Sequence, residues 1–203
     1  MALIISNAEQ GTDEWRKARI GHVTASGFDA ITARKRDGKP TAAYRAYLLQ
    51  IVGEILTGEA PETFGGNALA RGKEMEAEAR QLYEFQTDNA CELVGHVYDD
   101  VKRAGASPDS LISTDGMIEI KTKAAHLQLQ VLIDDVLPED HVAQVQGALW
   151  VTGRAWCDFV SYWPRLPLFV KRVTRDEAYI ARLAVEVTDF NAQIDALVKR
   201  FQK

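Results

Sequence analysis

The sequence predicts an α/β fold, a central mixed β-sheet flanked by helices on both sides. Three observations predict it. Long stretches repeat apolar residues at spacings of three and four, above all Ile180, Leu183, Val187, Phe190, Ile194, Leu197 and Phe201. Between such stretches lie short runs rich in aromatic and β-branched residues, such as Ala155 to Trp163, which read as strands. Two further short runs flank an Asp115-Gly116 turn signal, the mark of a β-hairpin.

In chain order, the spacing predicts a helix over 13–19 and a second short one opening near Ser26. A long helix over 41–57 follows, with Tyr47, Leu48, Ile51 and Ile55 on one stripe and Gly58 as its stop. Arg34 to Pro40 reads as a basic loop and Glu59 to Gly66 as a connector. From Ala68 to about Phe85 a helix carries Met75, Ala79, Leu82 and Phe85 inward. Strands are expected near 92–98, 104–112 and 117–123, a helix over 142–151 closed by Thr152-Gly153, and strands over 155–163 and 168–173. Thr174-Arg175-Asp176-Glu177 reads as a capping box opening the last helix.

With 203 residues, 46% hydrophobic and 26% charged, the chain has the make-up of one globular domain with a real core, which excludes the disordered class. Its expected division is a helical, basic part over 1–66, a core over 67–174 and a C-terminal helix over 175–203. No apolar run has the length of a membrane span, and the first residues lack the pattern of a signal peptide, so a cytoplasmic, membrane-free protein is expected. Two cysteines, Cys91 and Cys157, are too few for a disulfide framework or a four-cysteine metal site and read as small buried hydrophobes. The four histidines show no metal-ligand spacing, and Asp134-Asp135 with Glu139-Asp140 reads as solvated surface.

The net charge of −5 conceals an uneven distribution. Residues 15–45 hold eight basic side chains against two acidic ones, and residues 54–92 hold nine acidic against three basic. A polyanion would therefore meet the N-terminal part, although a solvated helix face with a charged loop would give the same count.

Ser107-Pro108-Asp109, followed by Glu119-Ile120-Lys121, carries the chemistry. Strand alternation puts Glu119 and Lys121 on one face and Ile118 and Ile120 on the other. With Thr114-Asp115-Gly116 as the loop and Gly116 left-handed, Asp109 is expected opposite Lys121 and diagonal to Glu119. Magnesium is held by one or two carboxylates together with waters and phosphate oxygens, which Asp109 and Glu119 would supply. Such an ion eases deprotonation of a water, and Lys121 would orient or deprotonate that water. The set suits metal-assisted cleavage of a phosphodiester. By itself a Glu-x-Lys triplet arises about once by chance in a chain this long, and a solvated strand would carry the same letters.

The chain resembles the lambda-exonuclease family, the YqaJ-type viral-recombinase branch of the nucleases with a Pro-Asp … Glu-x-Lys signature. Four segments carry the likeness, in the family's order. They are Glu9 to Trp15 with Arg19 to Ser26, Arg71 to Glu76, Ala106 to Asp109 with Met117 to Lys121, and Ala143 to Gln146 with Trp150 to Thr152.

The resemblance implies a restriction-endonuclease-like nuclease core and a Mg²⁺-dependent exonuclease that works from a 5′ end of linear duplex DNA. It would release mononucleotides and leave a 3′ single strand. Two Mg²⁺ ions are implied, with Mn²⁺ as a substitute. Asp109, Glu119 and the Ile120 carbonyl match the metal ligands, Lys121 the catalytic amine, and Glu76 and Gln144 positions beside the metal. Arg19, Ser26 and Ser107 match a pocket for the 5′-terminal phosphate. Arg36 matches a basic loop against the duplex groove, and Leu69 a residue that parts the terminal base pair. From the residues alone, Glu76 is a solvated acid, Gln144 a surface amide, Arg19 a surface charge, Ser26 a helix cap and Leu69 a packing contact.

A homotrimeric ring around DNA, a single-strand annealing partner and a phage or prophage origin in a bacterial host are further implications of the likeness. The chain departs from the family in having Ser110 where Gly is usual and Thr122-Lys123 after Lys121. Two other readings compete: an endonuclease or repair nuclease with the same metal site, and a non-catalytic interaction domain in which 109–121 is a structural hairpin. The branch with an iron–sulfur cluster is disfavoured by the two cysteines.

Overall fold

The computed structural model describes residues 3–60 and 67–202, with side chains for all of these except 67–70. The end of the expected connector, residues 61–66, lies outside the described residues.

Five strands form the main sheet, in the order β2 (Cys91–Glu92), β5 (Ser110–Ile112), β6 (Gly116–Thr122), β7 (Trp156–Tyr162) and β8 (Phe169–Thr174). The β6–β7 pair is parallel and the others antiparallel, so the sheet is mixed as the sequence predicts. Parallel neighbours need a crossover connection. Here it consists of α5 (Ala125–Asp134) and α6 (Glu139–Thr152).

Alternation along β6 and β7 sorts side chains to the two faces of the sheet. Met117, Cys157 and Phe159 join one apolar cluster with residues of α2 (Phe28–Thr32), α3 (Ala42–Thr57), α5, α6 and α7 (Glu177–Phe201). Ile118, Ile120, Val160 and Tyr162 join the other, with Met75, Ala79 and Tyr83 of α4 (Asn67–Thr87). Helices therefore cover both faces. Fully buried side chains such as Leu183 and Phe190 on α7 each stabilise the fold by roughly 1.5–3 kcal/mol. Among the described residues, no helix is long and apolar enough to cross a membrane.

A second sheet of three antiparallel strands has the order β1 (Leu3–Ser6), β3 (His96–Asp99) and β4 (Ala104–Ala106). Its existence corrects two expectations. The predicted strand over 92–98 is split between β2 and β3, and the one over 104–112 between β4 and β5, with each half in a different sheet. The Ser107-Pro108-Asp109 segment is where the chain leaves one sheet for the other. The N-terminal part, expected to be helical, also contributes β1.

The first helices lie where expected, as α1 (Asp13–Lys17) and a 3₁₀ turn at Ala25–Gly27 leading into α2. On α3, which packs against α2 and α7, the buried stripe is Tyr44, Leu48, Ile51 and Val52, with Tyr47 partly buried against the same core and Ile55, at its edge, exposed. On α4, Tyr83 and not Phe85 points inward; Phe85 is 88% exposed. The cap of α7 is Asp176, whose carboxylate accepts the Tyr179 amide, since Thr174 is still paired in β8. Cys157 is buried and Cys91 half-buried. Asp134, Asp135, Glu139 and Asp140 are exposed, as expected.

Candidate active site

The hairpin register places the carboxylates. Ser110 pairs with Ile118, Leu111 with Met117 and Ile112 with Gly116. One step further, Asp109 lies level with Glu119 and not with Lys121, which corrects the expected register by two residues. Gly116 is already in the strand, and Ser113 is the loop residue with positive φ, at 48°. A glycine is needed at 116 for another reason: a Cβ there would stand 2.1 Å from the Trp156 indole. A shift of two preserves strand parity, so Asp109, Glu119 and Lys121 still share a face.

Around them the hydrogen bonds are short. The Ile120 amide donates to Asp109 Oδ2 at 2.5 Å. Lys121 Nζ and Gln144 Nε2 both donate to Glu119 Oε1 at 2.5 Å. Gln144 comes from α6, so the crossover helix supplies a side chain to the strand it connects. Asp109 Oδ1 and Glu119 Oε2 have no hydrogen-bond donor among the described residues.

Two carboxylates this close and this crowded resist ionisation. Burial pushes the Asp109 carboxyl well above its ordinary value, and the Glu119 and Glu76 charges push it further. Burial likewise raises Glu119, against the opposing pull of the Lys121 ammonium and the Gln144 amide. Burial disfavours the Lys121 charge, yet Glu119, Asp109 and Glu76 outweigh it and hold its pKa above the ordinary value. A hard divalent cation would relieve the repulsion and occupy the two oxygens left over, so the residues fit such an ion. Among the described residues no three His, Cys, Asp or Glu side chains could hold a metal by themselves. Waters, a backbone carbonyl such as that of Ile120, and substrate oxygens would complete the shell.

The same cleft, about 190 Å³, is lined by Arg19, Ser26, Ser107, Asp109, Glu119, Lys121 and Gln144, with Gln10, Trp15 and Thr24. Seven side chains singled out in the sequence thus converge. Arg19 lies over the Trp15 ring, 4.1 Å from its centroid, and donates to Thr24 Oγ1 at 3.3 Å. Thr24 Oγ1 is also 3.2 Å from Ser26 Oγ. Burial lowers the Arg19 pKa, and among the described residues no carboxylate is within ion-pairing distance of it. The guanidinium is therefore held in place by an aromatic ring and a hydroxyl, with the Glu54 charge favouring it from beyond ion-pairing distance.

Thr24, Trp15 and Gln10 are site residues that sequence reasoning did not single out. Gln10 donates from its amide to the Val94 and Pro108 carbonyls, fixing the turn before Asp109. Trp15 Nε1 donates to Ser107 Oγ and the Gly95 carbonyl, both at 3.2 Å. All three lie in or next to the N-terminal segments that carry the family likeness, which is the only signal that could have found them.

Glu76 and Arg36 are not among the residues that line the cleft. Glu76 accepts from Arg80 at 2.8 Å and reaches the carboxylates only through its field. Arg36 sits at the tip of an exposed loop closed by the Arg34–Pro40 bridge. Leu69 is in the first turn of α4, and its side chain lies outside the described residues. The departures from the family pattern are accommodated: Ser110 Oγ donates to the Asp109 carbonyl and accepts from Arg80 Nε, and Lys123 pairs with Asp140 at 3.3 Å.

Residues 14–155 match the model of the YqaJ-like viral recombinase domain. The chain is also similar to solved structures. One is LHK-Exo in complex with dAMP, at 33% identity and a TM-score of 0.85, over 94% of this chain and 96% of that one. A second structure of LHK-Exo, an alkaline exonuclease from Laribacter hongkongensis, matches at 32% identity and a TM-score of 0.84, with the same coverage. A phage-related exonuclease from Haemophilus somnus 129PT shares the fold, at 15% identity and a TM-score of 0.65, over 89% of this chain and 96% of that chain. No curated protein matches the chain. A model match over most of the length, together with a relative a third identical over 94% of the chain, makes the chain a member of the YqaJ-like viral recombinase family.

Proposed function

We propose that this protein is a Mg²⁺-dependent exonuclease that digests linear double-stranded DNA from a phosphorylated 5′ end, releasing 5′-mononucleotides. A nuclease role follows from the family and from the likeness to an alkaline exonuclease over 94% of the chain. The observation that carries the finer reading is that one cleft holds both a paired-carboxylate site and a guanidinium, flanked by hydroxyls, with no carboxylate in ion-pairing distance among the described residues.

In this reading Asp109, Glu119 and the Ile120 carbonyl hold the divalent cation, which would lower the pKa of a bound water and neutralise charge on the phosphoryl oxygens. Lys121, which its carboxylate neighbours hold as an ammonium, would orient the attacking water and offset charge on the phosphoryl oxygens rather than act as the base, and the water's proton would pass to solvent. Gln144 and Lys121 fix the Glu119 carboxylate, and Glu76 adds negative field beside it. Arg19 grips the terminal phosphate bidentately while Ser26 and Ser107 add neutral donors. Hydrolysis that leaves the phosphate on the shortened strand regenerates the anion that Arg19 holds, which favours repeated cuts from one end.

Arg36 would contact the duplex backbone and Leu69 the terminal base pair. A homotrimeric ring would bring three basic N-terminal parts around the DNA and so reconcile an acidic chain with a polyanionic substrate. The 3′ strand left behind would pass to a single-strand annealing protein, as recombination in a phage system requires.

The test is digestion of linear duplex with and without a 5′-phosphate and with and without Mg²⁺, beside closed circular plasmid. Metal-dependent mononucleotide release, faster from phosphorylated ends and absent from the plasmid, is expected. Cutting of the plasmid would replace this reading with an endonuclease, and metal-independent or absent release would reject it.

A further inference from the structure

Behind Ser107, at the Arg19 end of the cleft, two histidines that the reaction above does not use complete a relay of polar groups. His22 Nδ1 and His96 Nε2 are 3.1 Å apart, and His96 Nδ1 is 3.2 Å from Ser107 Oγ. The His96 ring is only 2% exposed, and the His22 ring stacks on Tyr98 with centroids 3.7 Å apart. The slot for His96 is built around it: a Cβ on Gly105 would come within 2.4 Å of its Cε1. Gly105 also ties this strand to the Arg19–Ser26 segment, donating its amide to the Val23 carbonyl at 2.8 Å.

Burial lowers the pKa of both rings, that of His96 to about 3, so each is neutral near pH 7 and carries one N–H. The indole N–H of Trp15 only donates, so Ser107 Oγ accepts from it in every arrangement. Two arrangements remain. With its proton on Nε2, His96 donates to His22, Ser107 spends its hydrogen on His96 Nδ1, and the cleft meets only the hydroxyl's lone pairs. With its proton on Nδ1, His22 donates to His96 Nε2. His96 then carries its own proton on Nδ1 and donates it to Ser107, which leaves the hydroxyl hydrogen free to point into the cleft.

Only the second arrangement offers a donor to an anion. We propose that His22 and His96 are positioning residues whose Nδ1–H tautomers hold Ser107 as a hydrogen-bond donor to the 5′-terminal phosphate. This rests on the phosphate-pocket reading of the same cleft and deepens it. The discrimination between phosphorylated and hydroxyl ends would then depend on a proton placed two residues back from the ligand.

Long-range ¹⁵N–¹H NMR of the whole protein, bound to a 5′-phosphorylated duplex without divalent metal, reads the tautomers directly. Nδ1–H on both rings is expected, and Nε2–H on His96 overturns the relay. His22→Phe keeps a ring on Tyr98 but removes the donor. Its kcat/KM on phosphorylated ends should fall about tenfold, through KM, as expected for one lost hydrogen bond to a charged group, with hydroxyl ends digested as before. His96→Asn, whose amide can still donate to Ser107, should retain more of the preference than His96→Leu. If Arg19→Ala abolishes the preference for phosphorylated ends while His22→Phe retains it in full, the relay is rejected and the pocket stands. If the unaltered protein has no preference to lose, both fall.

Discussion

Gln144 Nε2 and Glu119 Oε1 are 2.5 Å apart, so the helix that carries the chain from β6 to β7 is pinned by a side chain to the middle of β6. That contact shares one carboxylate oxygen with Lys121 and leaves the other without a donor among the described residues. Gln144→Ala should free Glu119 to rotate. We expect digestion of linear duplex to fall roughly tenfold to a hundredfold, the scale of one lost hydrogen bond to a charged group, with a raised metal requirement in a Mg²⁺ titration.

The two carboxylates repel each other at close range in surroundings that disfavour charge. Asp109→Asn should therefore stabilise the metal-free protein while abolishing nucleotide release. A gain of about 1 kcal/mol would raise the melting temperature by roughly 2–4 °C at this chain length. Adding Mg²⁺ should raise the melting temperature of the unaltered protein and leave that of the variant where it was.

Lys121→Met removes the positive charge that Glu119 faces. Digestion should be lost while gel-shift binding of duplex persists, because the Arg19 end of the cleft is untouched. Retained digestion would remove Lys121 from the reaction.

Arg19→Ala deletes a guanidinium that has no carboxylate partner among the described residues. The rate on 5′-phosphorylated ends should fall by about tenfold to a hundredfold and converge on that of hydroxyl ends, which competition kinetics with the two substrates would measure.

Acid should unfold the protein partly through His96. Burial, with Arg19 and His22 adding to it, holds its folded pKa at about 3 against an ordinary 6.5, while the Ala106 carbonyl pulls the other way and Asp100 favours the charge on His22. The unfolded chain takes up the proton first. The contribution is thus complete above pH 6.5 and drains as the pH falls toward about 3, at close to 1.4 kcal/mol per unit. By about pH 4.5 the loss is roughly 3 kcal/mol. Denaturant titrations at several pH values should show a shallower decline for His96→Leu than for the unaltered protein.

The parts of this fold that were legible in the sequence are those in which one periodicity had one explanation. Ile180, Leu183, Val187, Phe190 and Ile194 recur on a single buried face, and α7 follows. Helix α5 was not legible, since Leu127, Leu129 and Val131 alternate with Gln128 and Gln130 as a strand would. Tertiary contacts decide it: Gln128 is fully buried and bonds Ser161 and the Pro167 carbonyl. Strand parity was enough to put Asp109, Glu119 and Lys121 on one face even with the register off by two. No local pattern, however, could bring His22 to His96 across 74 positions or divide 104–112 between two sheets.

Ser107 and Asp109 stand at the two ends of the tripeptide that joins the sheets, so their Cα atoms can be no more than about 7 Å apart. In the proposed reaction that short piece of backbone, stiffened by Pro108, acts as a ruler. The spacing between the Ser107 and Asp109 backbones is bounded by covalent geometry, so a tilt of one sheet against the other could part these two residues by no more than the span of the tripeptide.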